Sequence, residues 1–203
     1  MDDIIVARRG DSTLDYATLC AMFRLRHQVF HDRLGWDVVS DRGMEHDHFD
    51  WADPVYVLAR GRKELHGCWR LLPTDGPNML RDVFPQLMGD APVPADHSTW
   101  ELSRFAVLEG STDSHGFGLS TVPLRMLDAA LRHAQANGIT RYVSVTSVAI
   151  ERMFRKLGIA VERLGPALRI GRVLTVACAM PVDPATAQAV RLAALGPAPS
   201  QAA

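Results

Sequence analysis

The stretch that decides the fold reads Trp100-Glu101-Leu102-Ser103-Arg104-Phe105-Ala106-Val107-Leu108. Aromatic and aliphatic residues dominate it, and polar segments bound it on both sides, which predicts a β-strand. Because side chains alternate along a strand, Glu101 and Phe105 are predicted to share one face of the sheet. Arg104 is predicted to point to the opposite face. A strand with this many apolar residues is expected at the centre of the sheet, with one charged side chain on each face.

Charged side chains at the centre of a sheet need partners. A buried carboxylate or guanidinium is tolerated only when it is paired or hydrogen-bonded. The rest of the chain must therefore supply partners for Glu101 and Arg104. The candidates all lie upstream of this strand or in the strand before it: Arg26, Glu45, Asp47, Asp50 and Arg70.

The composition is that of an ordinary globular protein. The chain has 203 residues, of which 47% are hydrophobic and 22% charged, enough for one sizeable core. The net charge of −1 gives no overall basic field, so nucleic acid is not an expected partner. Three scattered cysteines argue against a disulfide framework or a structural zinc site. With no signal peptide and no apolar run of membrane-spanning length, the sequence predicts a cytoplasmic protein without a membrane partner.

The pattern along the chain predicts alternating strands and helices. Helices are predicted over 16–34, 79–88, 119–136, 149–157 and 184–195. Strands are predicted over 4–7, 55–60, 65–72, 100–108, 141–148, 159–164 and 168–179. We therefore expect an α/β fold, with a single domain over 1–195 in which helices flank a mixed, largely antiparallel sheet. The tail at 196–203 is expected to be disordered.

The segment 35–54 shows no lasting period and is rich in acidic residues. Its run Glu45-His46-Asp47-His48 has residue types that bind metals. The alternative is that these carboxylates are solvated or pair with arginines elsewhere. Because alternate residues of an irregular segment do not obviously converge, we expect no metal here.

The charged and aromatic residues also form an ordered pattern. It comprises Arg26-x-x-x-Phe30, Leu34-Gly35-Trp36, Glu45-x-Asp47-x-x-Asp50, Arg70-Leu71-Leu72-Pro73-Thr74 and Trp100-Glu101-Leu102-Ser103-Arg104-Phe105. This pattern resembles that of the LuxI-type acyl-homoserine-lactone synthases, the autoinducer synthases that make quorum-sensing signals. The likeness is densest from Arg26 to Val107.

The resemblance implies both a fold and a reaction. The fold would be an α/β/α sandwich similar to that of the GNAT acyltransferases. The enzyme would acylate the amine of S-adenosylmethionine with a fatty acyl group from acyl carrier protein. It would then close the lactone and release 5′-methylthioadenosine. S-adenosylmethionine would be a substrate, and no cofactor is expected.

The resemblance also implies a substrate site. The candidates for binding S-adenosylmethionine are Arg26, Phe30, Trp36, Glu45, Asp47, Asp50, Phe84 and Phe105. The carboxylates suit a substrate that carries a sulfonium and an ammonium. Either Arg26 or Arg104 could bind the substrate carboxylate, because a guanidinium matches it in a bidentate manner. Residues 1–54 are expected to form a mobile segment over this site.

The candidate catalytic residues are Arg70, Glu101, Ser103 and Arg104. An amine attacks a thioester only when it is neutral, so a proton acceptor is needed nearby. Glu101 could serve if burial raises its pKa. Alternatively, a neighbouring arginine lowers that pKa and Glu101 is a structural ion-pair partner, and the sequence leaves both roles open. Backbone N–H groups near 104–106, exposed by a bulge, would stabilise the oxyanion.

Three further features concern the acyl donor. The candidates for an apolar acyl pocket are Met126, Leu127, Ser144, Thr146 and Val148. Arg152, Arg155 and Lys156 would form an exposed cationic face for docking an acidic carrier protein, unless they are simply a solvated helix face. The loop 113–118 lies where a GNAT enzyme binds pyrophosphate, but Asp113 occupies a position that is Arg or Gln in those enzymes. This difference favours carrier protein over coenzyme A.

Two other functions remain compatible with such a fold. One is a GNAT-type N-acyltransferase that uses acyl-CoA, against which Asp113 and the acidic segment count. The other is a non-catalytic module that binds S-adenosylmethionine. The complete set of arginines and carboxylates counts against that module, because buried charges are costly to retain.

Overall fold

The computed structural model describes residues 2–62, 64–108, 114–115 and 119–195. The strands are β1 (Asp3–Arg8), β2 (Ser40–Asp41), β3 (Met44–Glu45), β4 (Val55–Arg60), β5 (Leu65–Pro73), β6 (Thr99–Val107), β7 (Ser114–His115), β8 (Leu119–Ser120), β9 (Arg141–Ser147), β10 (Glu162–Arg163), β11 (Leu168–Ile170) and β12 (Val173–Pro181). The α-helices are α1 (Tyr16–His27), α2 (Met79–Asp82), α3 (Thr121–Ala136), α4 (Val148–Lys156) and α5 (Pro184–Leu195). A π-helical segment (Gln28–Arg33) continues α1, and 3-10 helices cover His48–Trp51 and Pro85–Met88.

The main sheet has the order β1-β4-β5-β6-β9-β12-β10, and β11 pairs with β12. The pair β6–β9 is parallel, whereas the other pairs in this sheet are antiparallel. The prediction of a mixed, largely antiparallel sheet is confirmed. The strand quoted first, β6, is the fourth strand of seven in this order, so its predicted central position is also confirmed.

Two helical layers cover the sheet. On one face α3 and α5 pack over an apolar cluster that includes Trp100, Leu102 and Tyr142. On the other face α1 packs over a second cluster that includes Phe23 and Phe30. The central strand is therefore buried from both sides, as the α/β/α prediction requires.

The first helix changes its winding where it reaches the candidate site. Asp15 caps it by accepting a hydrogen bond from the Thr18 amide at 2.8 Å, as its position before the apolar stripe predicts. The prediction of one regular helix over 16–34 is wrong, because α1 ends at His27 and the π-helical segment follows. Gly35, with φ of +63°, ends the helical run. Widened turns of this kind occur often at functional sites.

Several other boundaries differ from the prediction. The expected strand 168–179 is two strands, β11 and β12, joined by a turn in which Gly171 has φ of +57°. The expected strand 159–164 is reduced to β10. The segment 35–54 contains the hairpin β2–β3 and a 3-10 helix rather than an irregular loop. Asp113 and the tail 196–203 lie outside the described residues.

Within the described ranges, no helix combines the length and the apolar character that a membrane span requires.

Candidate active site

A β-bulge in β6 sets the geometry of the site. Cys68 pairs with Ala106 and Arg70 pairs with Ser103, so Trp69 alone lies opposite both Arg104 and Phe105. Arg104 accommodates the extra residue of the bulge. Its φ of +55° lies in a backbone region that residues other than glycine rarely adopt. The bulge reverses the alternation of side chains beyond it.

The predicted faces of Arg104 and Phe105 are therefore wrong. Arg104 points to the same side of the sheet as Glu101 and reaches Glu45, at 3.0 Å between Nε and Oε1. Phe105 instead packs on Trp69 on the side of α3, with ring centroids 4.8 Å apart. Strict alternation fails because one residue of β6 has no counterpart in β5. As a result both charged side chains of β6 act on one face.

Three arginines and three carboxylates converge on that face: Arg26, Arg70, Arg104, Glu45, Asp47 and Asp50. Arg26 donates to Glu45 at 2.5 Å and to Asp50 at 2.7 Å. Arg70 donates to Asp47 at 2.5 Å and to Asp50 at 3.0 Å. Arg104 bridges Glu45 and Asp47, at 3.0 and 2.7 Å. The six formal charges cancel, and the expected convergence of these residues is confirmed.

Two buried members of this ion-pair cluster, Asp50 and Arg26, have pKa values shifted towards their charged forms. Burial disfavours ionisation of Asp50, but the guanidinium groups of Arg26 and Arg70 outweigh it and hold the pKa of this carboxyl well below its usual range. Burial likewise favours neutral Arg26, yet Asp50 and Glu45 raise its pKa above the ordinary value. Tyr56 adds a hydrogen bond to Asp50 at 2.8 Å. Asp50 and Arg26 therefore form a charged pair inside the cluster.

The cluster has one accessible edge. The side chains of Arg26, Glu45, Asp50 and Arg70 are at most 1% exposed, whereas those of Asp47 and Arg104 are each 14% exposed. Burial lowers the pKa of Arg104, which the nearby carboxylates counteract. A ligand that approaches the cluster therefore meets one carboxylate and one guanidinium first.

Glu101 lies beside the cluster but is held mainly by backbone amides. Its two oxygens accept hydrogen bonds from the N–H groups of Met79 and Leu80, at 3.0 and 2.6 Å, in the first turn of α2. Burial raises the pKa of Glu101, while these amides and Arg70 act in the opposite direction. Arg70 itself donates to Ser103 Oγ at 3.2 Å. Each oxygen of Glu101 thus accepts one amide hydrogen bond from α2, and direct ion pairing is not what holds it.

An aromatic pair adjoins the accessible edge. Phe30 and Trp36 stack with ring centroids 5.2 Å apart and planes inclined by 5°. The guanidinium of Arg104 lies 5.7 Å from the Phe30 ring centroid on the same side of the sheet. Phe30 is buried, but Trp36 is 45% exposed, so its ring is available to a ligand. Phe84 lies apart from this pair and packs, partly buried, between two apolar clusters.

An apolar cavity of about 270 Å³ lies on the other side of the bulge. The parallel pairing of β6 with β9 runs from Thr99 and Arg141 to Leu102 and Ser144, and the cavity lies where this pairing ends. Ser103 and Arg104 line it and also take part in the polar contacts of the opposite face. The charged cluster and the apolar cavity therefore meet at the bulge.

The predicted acyl-pocket residues divide into two groups. Leu127, Ser144 and Thr146 line the cavity, whereas Met126 and Val148 are not part of its lining. Met126, a residue of α3, packs into the main apolar core, and Val148 belongs to a small cluster with Val176. Strand alternation and helical spacing alone do not distinguish these core positions from positions that line the cavity.

Further cavity residues come from α4 and were not predicted. Ile150, Met153 and Phe154 line the cavity from this helix. Their spacing of three and four residues marks the apolar face of a helix, and that signal was available in the sequence. The same helix carries the predicted cationic face, which makes one side of α4 apolar and the other basic.

Comparisons with known proteins agree with this geometry. The family model described as autoinducer synthase matches residues 11–190. This chain belongs to the autoinducer synthase family. An acyl-homoserine-lactone synthase of Aliivibrio fischeri is 41% identical over 162 residues, which cover 78% of this chain and 83% of the relative. One from Pseudomonas aeruginosa is 40% identical over 169 residues and covers 82% of each chain.

Solved structures of other autoinducer synthases have the same fold. The acyl-homoserine-lactone synthase LasI superposes with a TM-score of 0.85 at 37% identity and covers 94% of both chains. The CoA-dependent synthase BjaI, solved with S-adenosylmethionine and isopentyl-CoA, has a TM-score of 0.86 at 26% identity and covers 98% of this chain and 92% of its own. An N-acetyltransferase from Lactobacillus plantarum shares only the fold, at 14% identity, with a TM-score of 0.58 and coverage of 90% and 99%. The GNAT-like fold prediction is confirmed.

In this autoinducer synthase the basic face of α4 is exposed, as predicted. Arg152, Arg155 and Lys156 are all solvent-exposed. Arg155 pairs with Glu151 at 3.2 Å, and Arg163 also pairs with this buried carboxylate. Among the described residues, Arg155 is thus held by Glu151, whereas Arg152 and Lys156 form no ion pair.

The acidic run 45–48 lies among the arginines of the ion-pair cluster. Glu45 and Asp47 are both engaged by arginines, which is the alternative that the sequence left open. Asp47 also caps the 3-10 helix by accepting from the Phe49 amide at 3.0 Å. Elsewhere in the described part of the chain, His27, His31 and Asp32 bring three potential ligand atoms within 4.8 Å of one another. Sequence reasoning missed this group.

Proposed function

We propose that this autoinducer synthase acylates the amine of S-adenosylmethionine with a fatty acyl group carried on acyl carrier protein. It then closes the homoserine lactone and releases 5′-methylthioadenosine. The observation that carries the proposal is the bulge in β6. A charged cluster with an aromatic neighbour meets an apolar cavity there, and Ser103 and Arg104 line the cavity and also contact residues of the cluster. One polar cationic substrate and one apolar chain would meet at this junction.

The accessible edge of the cluster suits the amino-acid end of S-adenosylmethionine. The Asp47 carboxylate would attract its ammonium group, and the Arg104 guanidinium would bind its carboxylate. The exposed Trp36 ring, braced by Phe30, would contact the sulfonium or the adenosyl group through cation–π attraction. The four buried members of the cluster would hold these two residues in place rather than contact the substrate.

The bulge also provides donors for the acyl-transfer step. Attack of the neutral amine on the thioester forms a tetrahedral oxyanion, and the nitrogen proton must then pass to an acceptor. β6 has no hydrogen-bonded partner in β9 beyond Leu102, so backbone N–H groups on that edge can stabilise the oxyanion. Because both oxygens of Glu101 accept backbone hydrogen bonds, we assign it a positioning role. The proton would then leave through water.

Lactone closure is an intramolecular displacement. The carboxylate of the acylated substrate attacks the carbon next to the sulfonium, and methylthioadenosine leaves with the electron pair of the broken C–S bond. This step requires mainly that the substrate is held in a folded conformation. Arg104, which would bind that carboxylate, and Trp36, which would contact the sulfonium, are the residues positioned to impose it.

The choice of carrier protein over coenzyme A rests on the α4 surface. Arg152 and Lys156 are exposed beside the helix face that lines the cavity, so an acidic carrier protein docked there could deliver its acyl chain to the cavity. The solved relative BjaI is CoA-dependent, so a CoA donor is the alternative for this chain. The donor must therefore be tested on this chain.

The experiment combines the full chain with S-adenosylmethionine and matched acyl donors, one on acyl carrier protein and one on coenzyme A. Mass spectrometry then measures the acyl lactone and methylthioadenosine. We expect both products in equal amounts, with the higher kcat/KM for the carrier-protein donor. An acylated amine without lactone would support a simple N-acyltransferase, and binding without turnover would support a non-catalytic module. A higher kcat/KM for the CoA donor would overturn the donor assignment alone.

A further inference from the structure

We propose that His27, His31 and Asp32 bind a divalent transition-metal ion at the surface of the π-helical segment. This proposal does not rest on the proposed function, because it concerns a group of side chains on the outer side of the segment. The three residues bring one potential ligand atom each within 4.8 Å of the others. Two imidazoles and one carboxylate form a donor set that suits zinc, nickel or copper rather than magnesium or calcium.

The distances are close to those of a bound site. Asp32 Oδ1 lies 2.8 Å from Nδ1 of His31 and 3.5 Å from Nε2 of His27. In a tetrahedral zinc site with metal–ligand bonds of about 2.0–2.1 Å, the ligand atoms lie about 3–3.5 Å apart. The two imidazole rings already lie together, with centroids 4.7 Å apart. Small rotations of these side chains would therefore be enough to admit an ion.

The environment of His27 favours metal binding through one nitrogen. Ser40 Oγ, in β2, lies 2.6 Å from Nδ1 of His27 and occupies that nitrogen. This leaves Nε2, which faces Asp32, for the ion. Such hydrogen bonds to the second ring nitrogen commonly orient histidine ligands. The neighbouring cation, Arg33, donates to the Val107 carbonyl at 3.0 Å.

The site is open to solvent on one side. The side chains of His31 and Asp32 are 54% and 56% exposed, so an ion can enter without unfolding the segment. Three protein ligands leave a fourth position for water. The expected ion is therefore an exchangeable one rather than a permanently buried structural ion.

Metal binding at this position would act on the active site through the backbone. His27 directly follows Arg26, and His31 directly follows Phe30. An ion that joins the two histidines would brace the turn that carries these two site residues. The position therefore suits a metal-dependent adjustment of the substrate site.

The test uses the full chain without an affinity tag, because a polyhistidine tag binds the same ions. Titration calorimetry with Zn²⁺ and Ni²⁺ should show one ion bound per chain. His31→Gln and Asp32→Asn should each weaken binding by about tenfold or more, as loss of a ligand requires. His97→Gln, which removes another exposed histidine, is the matched control and should leave affinity unchanged.

Circular dichroism should show that all three variants keep the fold, because the substituted side chains are exposed. An independent readout is the visible spectrum of the chain with Co²⁺, whose intensity reports a low-coordinate site with nitrogen ligands. Absence of binding would overturn the proposal. Equal affinity in the His31→Gln variant and the unchanged chain would overturn it as well.

Discussion

Replacing Asp50 with asparagine tests the ion-pair cluster most severely. Asp50 accepts hydrogen bonds from Arg26, Arg70 and Tyr56, and its second oxygen accepts from the Asp47 amide at 2.9 Å. Asparagine has nearly the same shape as aspartate but no charge. Its side-chain NH2 group is a hydrogen-bond donor, so it would face the donors from which the carboxylate accepts hydrogen bonds. The substitution leaves one uncompensated positive charge in a buried cluster that is otherwise neutral.

The expected loss of stability is large. Removing one partner from a buried ion pair costs about 3–5 kcal/mol. For a domain of this size that corresponds to a fall in Tm of about 6–20 °C. Urea unfolding followed by circular dichroism at pH 7 measures the free energy directly. Asp41→Asn is the control, because the Asp41 side chain is 71% exposed and its substitution should change stability little.

The loss should also depend on pH, with a defined sign. The folded-state pKa of Asp50 lies below its unfolded value, so ionised Asp50 stabilises the fold above the unfolded pKa of about 3.9. This stabilisation is lost as the pH falls towards the folded pKa. The difference between Asp50→Asn and the unchanged chain should therefore be greatest near pH 7 and shrink below about pH 4. Equal stability at pH 7, or a difference that grows in acid, would refute the reasoning.

Four further variants test separate parts of the site. Glu101→Gln should lower kcat while the acidic limb of the pH–rate profile persists, and loss of that limb would identify Glu101 as the base instead. Trp36→Leu should raise the KM for S-adenosylmethionine by about twofold to thirtyfold, the range of a cation–π contact, with an unchanged KM arguing against that contact. Met153→Ala should enlarge the cavity and favour longer acyl chains, with kcat/KM rising about fourfold per additional methylene in competition between donors of different length. An unaltered preference for acyl length would mean that the acyl chain binds elsewhere. Reversing Arg152 and Lys156 to glutamate should raise the KM for acyl carrier protein at low salt and leave acyl-CoA kinetics unchanged, whereas an equal effect on both donors would exclude docking there.

Much of the site could be predicted because buried charges require partners. The hydrophobic setting of Glu101 and Arg104 implies that charged residues elsewhere in the chain must converge on them. The ordered pattern of arginines and carboxylates then identifies the family. The structure confirms that convergence, down to Arg26, the residue on the apolar stripe of α1.

The details that failed depend on long-range pairing. The bulge expected near 104–106 is confirmed, but the faces taken by Arg104 and Phe105 depend on where the register of β6 shifts against β5, which no local pattern in either strand encodes. The change from α- to π-helix at Gln28 lies between the buried residues Arg26 and Phe30, and no spacing of apolar residues in the sequence marks it. The apolar face of α4 can be read from the spacing of Ile150, Met153 and Phe154, but its place in the cavity lining requires knowing that this face meets β9.

The most direct test of the proposed reaction follows the atoms of the substrate. S-adenosylmethionine labelled with ¹³C in its methionine carbon chain is incubated with the full chain and an acyl donor, and both products are analysed by mass spectrometry. The account predicts that the label in the α- to γ-carbons appears in the acyl-homoserine lactone and that methylthioadenosine is unlabelled. Methylthioadenosine formed without a labelled acyl lactone would contradict it.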